Sequence, residues 1–90
     1  MARYRVMTWR GIPTQVNAQD DTGGRVGRPL QEWFTQEVDR VAMREGLIGS
    51  DAYLEAWTWS AYVERPGTAR DVAEAVAMEL EAEWGRRPTP

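Results

Sequence analysis

The run Arg3-Tyr4-Arg5-Val6-Met7-Thr8-Trp9-Arg10-Gly11-Ile12-Pro13-Thr14-Gln15-Val16-Asn17-Ala18 decides how the rest of this chain must fold. From Arg3 to Trp9 the side chains alternate, Tyr4, Val6 and Thr8 against Arg3, Arg5, Met7 and Trp9, which is the period of two of a strand with one buried face. Gly11-Ile12-Pro13 reads as a turn, because proline presets its own φ and glycine tolerates a positive one. Thr14 to Ala18 then gives a second, shorter alternation with Val16 and Ala18 inward. The pair is a β-hairpin, and its apolar face calls for helices to cover it.

Working outward, Asp20-Asp21-Thr22-Gly23-Gly24-Arg25-Val26-Gly27-Arg28 is polar and glycine-rich and reads as a loop, with a short extended piece at Arg25-Val26. Leu30, Phe34, Val38 and Val41 are spaced by three or four, the stripe of an amphipathic helix opening at Pro29. Gly46 suits the left-handed position that ends a helix, with Leu47 folding back on the last turn. Gly49-Ser50-Asp51 looks like the cap of a single helical turn, Ala52 to Leu54. Trp57, Trp59, Ala61 and Val63 alternate with Thr58, Ser60, Tyr62 and Glu64, giving a third strand that Pro66-Gly67 ends. Thr68 with Asp71 three residues on resembles a capping box. In the helix that follows, Val72, Val76, Leu80 and Trp84 form the covering stripe, and Glu74, Glu79, Glu81 and Glu83 lie mostly on the solvent side.

The order is β-β-α-β-α. The expected fold is α+β: a two-layer sandwich with a three-stranded antiparallel sheet in the order 2-1-3, both helices on one face and the other face open. Residues 1–85 form one domain, and residues 86–90 read as a flexible tail.

Composition narrows the chemistry. The 90 residues contain no Cys and no His, and all 11 basic residues are Arg. Thiol catalysis, imidazole or thiolate metal sites, the Ser-His-Asp triad and lysine Schiff bases are therefore excluded. Residues 1–28 carry five Arg against two Asp, whereas residues 29–90 carry six Arg against twelve acidic residues. The net charge of −3 disfavours nucleic acid as a partner. Met1-Ala2-Arg3-Tyr4-Arg5 runs straight into the alternating segment instead of an apolar signal core, and no run is long enough to span a bilayer. A cytoplasmic location without membrane association is the expectation.

No motif names a reaction. Asp21-Thr22-Gly23 matches the triplet of aspartic proteases, but there apolar strand residues precede the Asp, whereas Asn17-Ala18-Gln19-Asp20 stands here, so a retropepsin-like protease on Asp21 is a minor alternative. Asp20 and Asp21 lack calcium-loop spacing, Glu79 and Glu83 read as a solvated face, and Ser50 has no base. No catalytic residue, metal ligand or cofactor is expected. Five tryptophans suit a small core. The sharper reading concerns the open face: Arg3, Arg5, Met7 and Trp9 would point outward, and Arg with exposed Trp is interface composition. A protein partner is the favoured occupant, with an RNA- or small-ligand-binding sheet and homodimerisation through the same face as alternatives.

Two further runs, Trp9-Arg10-Gly11-Ile12-Pro13-Thr14-Gln15-Val16 and Gly49-Ser50-Asp51-Ala52-Tyr53-Leu54-Glu55-Ala56-Trp57, together resemble the small bacterial "virulence factor" family. That family is similar to a domain of the staphylococcal conserved virulence factor C. The resemblance runs from Tyr4 to Trp84. It implies an accessory protein with no catalytic residues to carry over, and it implies association with corrinoid methyltransferases and methylenetetrahydrofolate-reductase-like proteins, as a subunit or scaffold in one-carbon transfer. On that reading Trp9, Arg10, Gln15, Tyr53 and Trp57 are partner contacts beside Arg3 and Arg5.

Overall fold

The computed structural model describes residues 1–85, so the predicted tail at 86–90 lies outside the described residues. The elements run β1 (Ala2–Trp9), β2 (Ile12–Asp20), β3 (Arg25–Pro29), α1 (Glu32–Arg44), α2 (Asp51–Glu55), β4 (Trp57–Trp59), β5 (Val63–Arg65) and α3 (Ala69–Gly85). The α+β class holds, with an antiparallel sheet of five strands in place of three. Strands β3, β2, β1 and β4 lie in that order, and β5 pairs with β1 beside β4.

The two extra strands have separate causes. The loop expected at residues 20–28 is a tight turn followed by β3, which pairs antiparallel with β2 from Gln15↔Pro29 to Gln19↔Arg25. Alternation within Arg25-Val26-Gly27-Arg28-Pro29 is weak because glycine and proline interrupt it, and the pairing is supplied by the free edge of β2. The single strand expected at residues 57–64 is instead split. β4 pairs with Met7–Trp9 and β5 with Ala2–Tyr4. Between them Ser60 takes over the ladder: its N–H donates to Val6 O at 2.9 Å, and its Oγ accepts from Val6 N–H at 2.8 Å. A side-chain oxygen thus replaces a backbone carbonyl and the alternation breaks, leaving Tyr62 and Val63 each 46% exposed.

The hairpin turn is tighter than its sequence suggests. Trp9 stands opposite Ile12, so Arg10 and Gly11 alone make the turn, with φ of 49° and 85°. Both central residues are left-handed, as in the two-residue turns that match strand twist, and glycine meets that demand without strain. Pro13 falls inside β2, at an irregularity where its missing N–H is tolerated. There the register slips between Met7↔Gln15 and Thr8↔Pro13, leaving Thr14 without a partner residue in the ladder, and its hydroxyl donates to Met7 O at 3.2 Å.

The alternation read along β1 does not carry past that irregularity. Trp9 was expected on the open face with Arg3, Arg5 and Met7, but it is 0% exposed and packs in the core with Ile12, Val16 and Ala18. Its indole N–H donates to Tyr53 O at 2.9 Å, satisfying the polar atom that burial would otherwise strand. The core is completed by Phe34, Val38 and Ala42 of α1 and by Ala69, Val72, Ala73, Val76 and Ala77 of α3. Both helices therefore cover the inward strand residues. Trp33, Phe34 and Trp84 form an aromatic cluster with centroids 5.1–6.3 Å apart. Helix α1 ends as expected, with Gly46 N–H donating to Met43 O and Leu47 N–H to Ala42 O, the paired bonds of a Schellman cap. Ser50 caps α2 by accepting from Tyr53 N–H at 3.2 Å.

Glu81 departs from the expected solvent face. Its side chain is only 11% exposed, accepting from Arg28 Nη1 at 3.3 Å and from Gln31 N–H at 2.9 Å. It joins β3 to α3 and also holds the entry to α1.

Asp20 is the second polar fastener. Its carboxylate accepts from Thr22 N–H (3.1 Å), Thr22 Oγ1 (2.7 Å) and Gly24 N–H (2.9 Å), which close the β2–β3 turn, and from Ala69 N–H (2.8 Å) at the start of α3. The bond from Ala69, followed by those within the turn, lowers its pKa from 3.8 to about 2.

Two outcomes follow. The folded pKa of Asp20 lies below its unfolded value, so its contribution is complete above pH 3.8 and disappears as pH falls towards 2. Thermal melts of Asp20→Asn should therefore lie below wild type at pH 7 and converge with it across that acid window; a constant difference would sink the assignment. Trp9→Ala, by removing a fully enclosed indole, should cost about 3–5 kcal/mol in urea unfolding, and a loss near zero would return Trp9 to the surface.

Candidate binding face

The residues singled out from sequence fall into two groups at different places. Trp9, Arg10, Tyr53 and Trp57 gather at the hairpin-turn end. Trp9 and Tyr53 have ring centroids 5.7 Å apart, and Tyr53 meets Trp57 edge-on at 6.2 Å. Tyr53 and Trp57 are half-buried against the core. Arg10 lies 5.7 Å from the Trp9 ring and pairs with Glu45 Oε1 at 2.6 Å, locking the turn to the end of α1. This corner ties α2 to the sheet.

Arg3, Arg5 and Gln15 lie instead on the face of the sheet away from the helices. The ladders set Arg5 opposite Asn17, Arg3 opposite Gln19 and Glu64, and Gln19 opposite Arg25, so these side chains share one surface. The break at Ser60 brings Tyr62 onto it. The Arg3 guanidinium lies 5.1 Å from the Tyr62 centroid, and that of Arg5 lies 4.9 Å from Tyr62 and 4.2 Å from Trp59. The order Arg3, Tyr62, Arg5, Trp59 is a ladder of cation–π contacts, each worth about 0.5–1 kcal/mol where exposed and more where water is excluded.

Amide groups pin the cations from the other side. With its amide oxygen turned towards Arg3, Gln19 accepts from Arg3 Nε at 2.8 Å and Nη2 at 2.9 Å. Gln15 Nε2 donates to Asn17 Oδ1 at 2.6 Å. Between β1, β2 and β3 the surface dips into a pocket of about 320 Å³ lined by Arg5, Asn17, Gln19, Arg25 and Tyr62. Sequence reasoning named Arg3, Arg5 and Gln15 but missed Tyr62, Trp59, Arg25, Asn17 and Gln19. Asn17 and Gln19 carried a signal, since they alternate with the inward Val16 and Ala18. Tyr62 carried one as well, since it alternates with the apolar set of the third strand, whereas Trp59, a member of that set, lies over Arg5 on the open face.

A neighbouring hollow of about 270 Å³ holds Arg3, Asp20, Asp21 and Glu64. The Asp21 side chain is 84% exposed and lies 3.8 Å from the amino group of Met1. Asp20 gives its oxygens to the turn and to α3. Among the described residues no three His, Cys, Asp or Glu side chains group as metal ligands, and no helix is long and apolar enough to cross a membrane.

Comparison with known proteins adds a family. No curated protein and no solved structure matches the chain. The family model described as "Virulence factor" matches residues 7–87, which takes in the hairpin turn, the Ser50-capped helix and all of α3. A match over so much of the sequence shows that the chain belongs to the virulence factor family.

Proposed function

We propose that this protein is a non-catalytic binding module that docks an acidic protein partner against the open face of its sheet. The observation that carries the reading is the Arg3–Tyr62–Arg5–Trp59 ladder on a helix-free surface. Guanidinium groups stacked on aromatic rings are held in place before a partner arrives, so less side-chain entropy is lost on binding. Charge favours an acidic surface: Arg3, Arg5 and Arg25 share the face, with Glu64 as the carboxylate at its edge. Four strands about 4.8 Å apart make roughly 500 Å² in plan, a large part of the ~800 Å² per partner that a standard interface buries. The absence of Lys, His and Cys leaves carboxylates and hydroxyls as the groups for general-base or nucleophilic chemistry.

A corrinoid methyltransferase or methylenetetrahydrofolate-reductase-like protein is the partner class that the family resemblance brings forward, with this chain as a subunit or scaffold in one-carbon transfer. RNA is less well supported. The face has two aromatic rings with basic neighbours, but the chain as a whole carries −3.

The test is affinity purification of the tagged chain from its own host at moderate salt, beside a variant carrying Arg3→Glu and Tyr62→Ala. Both residues are exposed, so the variant should fold. A protein recovered in fixed stoichiometry with the wild type and reduced about tenfold with the variant is expected. Recovery unaffected by the variant, a concentration-dependent dimer of the chain alone, or bound nucleic acid released steeply by salt would each overturn the reading.

A further inference from the structure

The pocket on the open face holds cations without counter-charges. Arg5 and Arg25 take part in none of the ion pairs among the described residues, like Arg3, Arg44 and Arg70 and unlike Arg10, Arg28, Arg40 and Arg65. Arg5 is half-buried, with its guanidinium close to both Trp59 and Tyr62, and its Nε is enclosed with no acceptor. A guanidinium partly withdrawn from water, without an anion or a full set of acceptors, is an unfavourable arrangement that a structure keeps where a ligand completes it. Arg5 lines the pocket.

The other polar groups there are also donors. Asn17 Oδ1 accepts from Gln15 and the Gln19 oxygen accepts twice from Arg3, and each residue keeps its NH₂ group to offer. Gly27 stands opposite Asn17, where an added Cβ would lie 3.2 Å from Gln15 Nε2 and 3.3 Å from Asn17 Oδ1. The bare backbone at Gly27 leaves that amide pair undisturbed. Carboxylates collect in the adjacent hollow, at Asp20, Asp21 and Glu64, and none lines this pocket.

We infer that the pocket formed by Arg5, Asn17, Gln19, Arg25 and Tyr62 is an oxyanion site that takes the phosphate or carboxylate group of a small ligand. The two guanidinium groups neutralise the charge, with Arg presenting paired N–H groups to two ligand oxygens, and the two amides complete the hydrogen bonding. Tyr62 walls one side and admits a ligand body stacked on its ring. This inference rests on the open face being the binding face, and it adds a small-molecule subsite to it.

The experiment is an NMR titration of the full chain, following the arginine Nε–H signals with inorganic phosphate, with succinate, and with sodium chloride at matched ionic strength. Saturable shifts of Arg5 and Arg25 with phosphate or succinate are expected, with Arg28 and Arg65 unmoved because Glu74 and Glu79 already engage them. Whichever anion saturates names the group recognised. Arg25→Gln, at an exposed and unpaired position, should weaken binding about tenfold, as should Arg5→Lys, which keeps the charge but loses the fork. The indole N–H signal of Trp9 reports whether each variant is folded, and Arg25→Gln carries the test alone if Arg5→Lys is not. Shifts that are linear and equalled by chloride, or affinity unchanged in the folded variants, would overturn the site. If partner recovery is lost with Arg3→Glu and Tyr62→Ala while neither anion saturates, the oxyanion site falls and the docking face stands.

Discussion

Every other part of this molecule depends on β1 being hydrogen-bonded along both edges. β2 occupies one edge from Ala2 to Trp9, and β4 and β5 share the other, with Ser60 bridging the gap. A strand paired on both sides has no backbone left to solvate, so its side chains must divide between two faces. The apolar set, Ala2, Tyr4, Val6 and, after the slip, Trp9, belongs to or packs on the core. Arg3 and Arg5 are left on the other face, and rings from the far edge gather over them.

Polar groups fasten the helices onto this sheet at specific points. Asp20 holds the start of α3, Glu81 holds Arg28 and the entry to α1, and Arg65 pairs with Glu79 through two hydrogen bonds of 3.0 and 2.6 Å. Exposed ion pairs such as Arg65–Glu79 are worth about 0–1 kcal/mol, so the core supplies most of the stability. The more buried Glu81 matters for register, because a carboxylate that is only slightly exposed must keep its donors. In a domain of 90 residues with a thin core, such fasteners set where each helix sits.

Much of the fold was legible because its signals are local. The helix stripes, the Gly46 stop with Leu47 folding back, the Ser50 cap and the Thr68 hydroxyl accepting from Asp71 N–H at 3.1 Å all depend on residues within one or two turns. The binding face was legible in part. Arg3 and Arg5 follow from simple alternation and do lie there, but extending that alternation through Met7 to Trp9 misplaced Trp9. β3 was read as loop because Gly27 and Pro29 dilute its pattern. The third strand was read as continuous because nothing in Trp57 to Val63 announces a serine hydroxyl standing in for a backbone carbonyl.

The sequence by itself determined the α+β class, the hairpin at the head of the chain, the amphipathic faces of both long helices and the chemistry left available without Lys, His or Cys. Those properties follow from residue type and short-range spacing. Only the tertiary structure decided that Trp9 is enclosed, that Glu81 is a fastener and not a solvated charge, and that Arg5 and Arg25 border one pocket beside Tyr62. Each of these depends on pairing between segments far apart in the chain, where a slip of one residue exchanges the two faces of a strand.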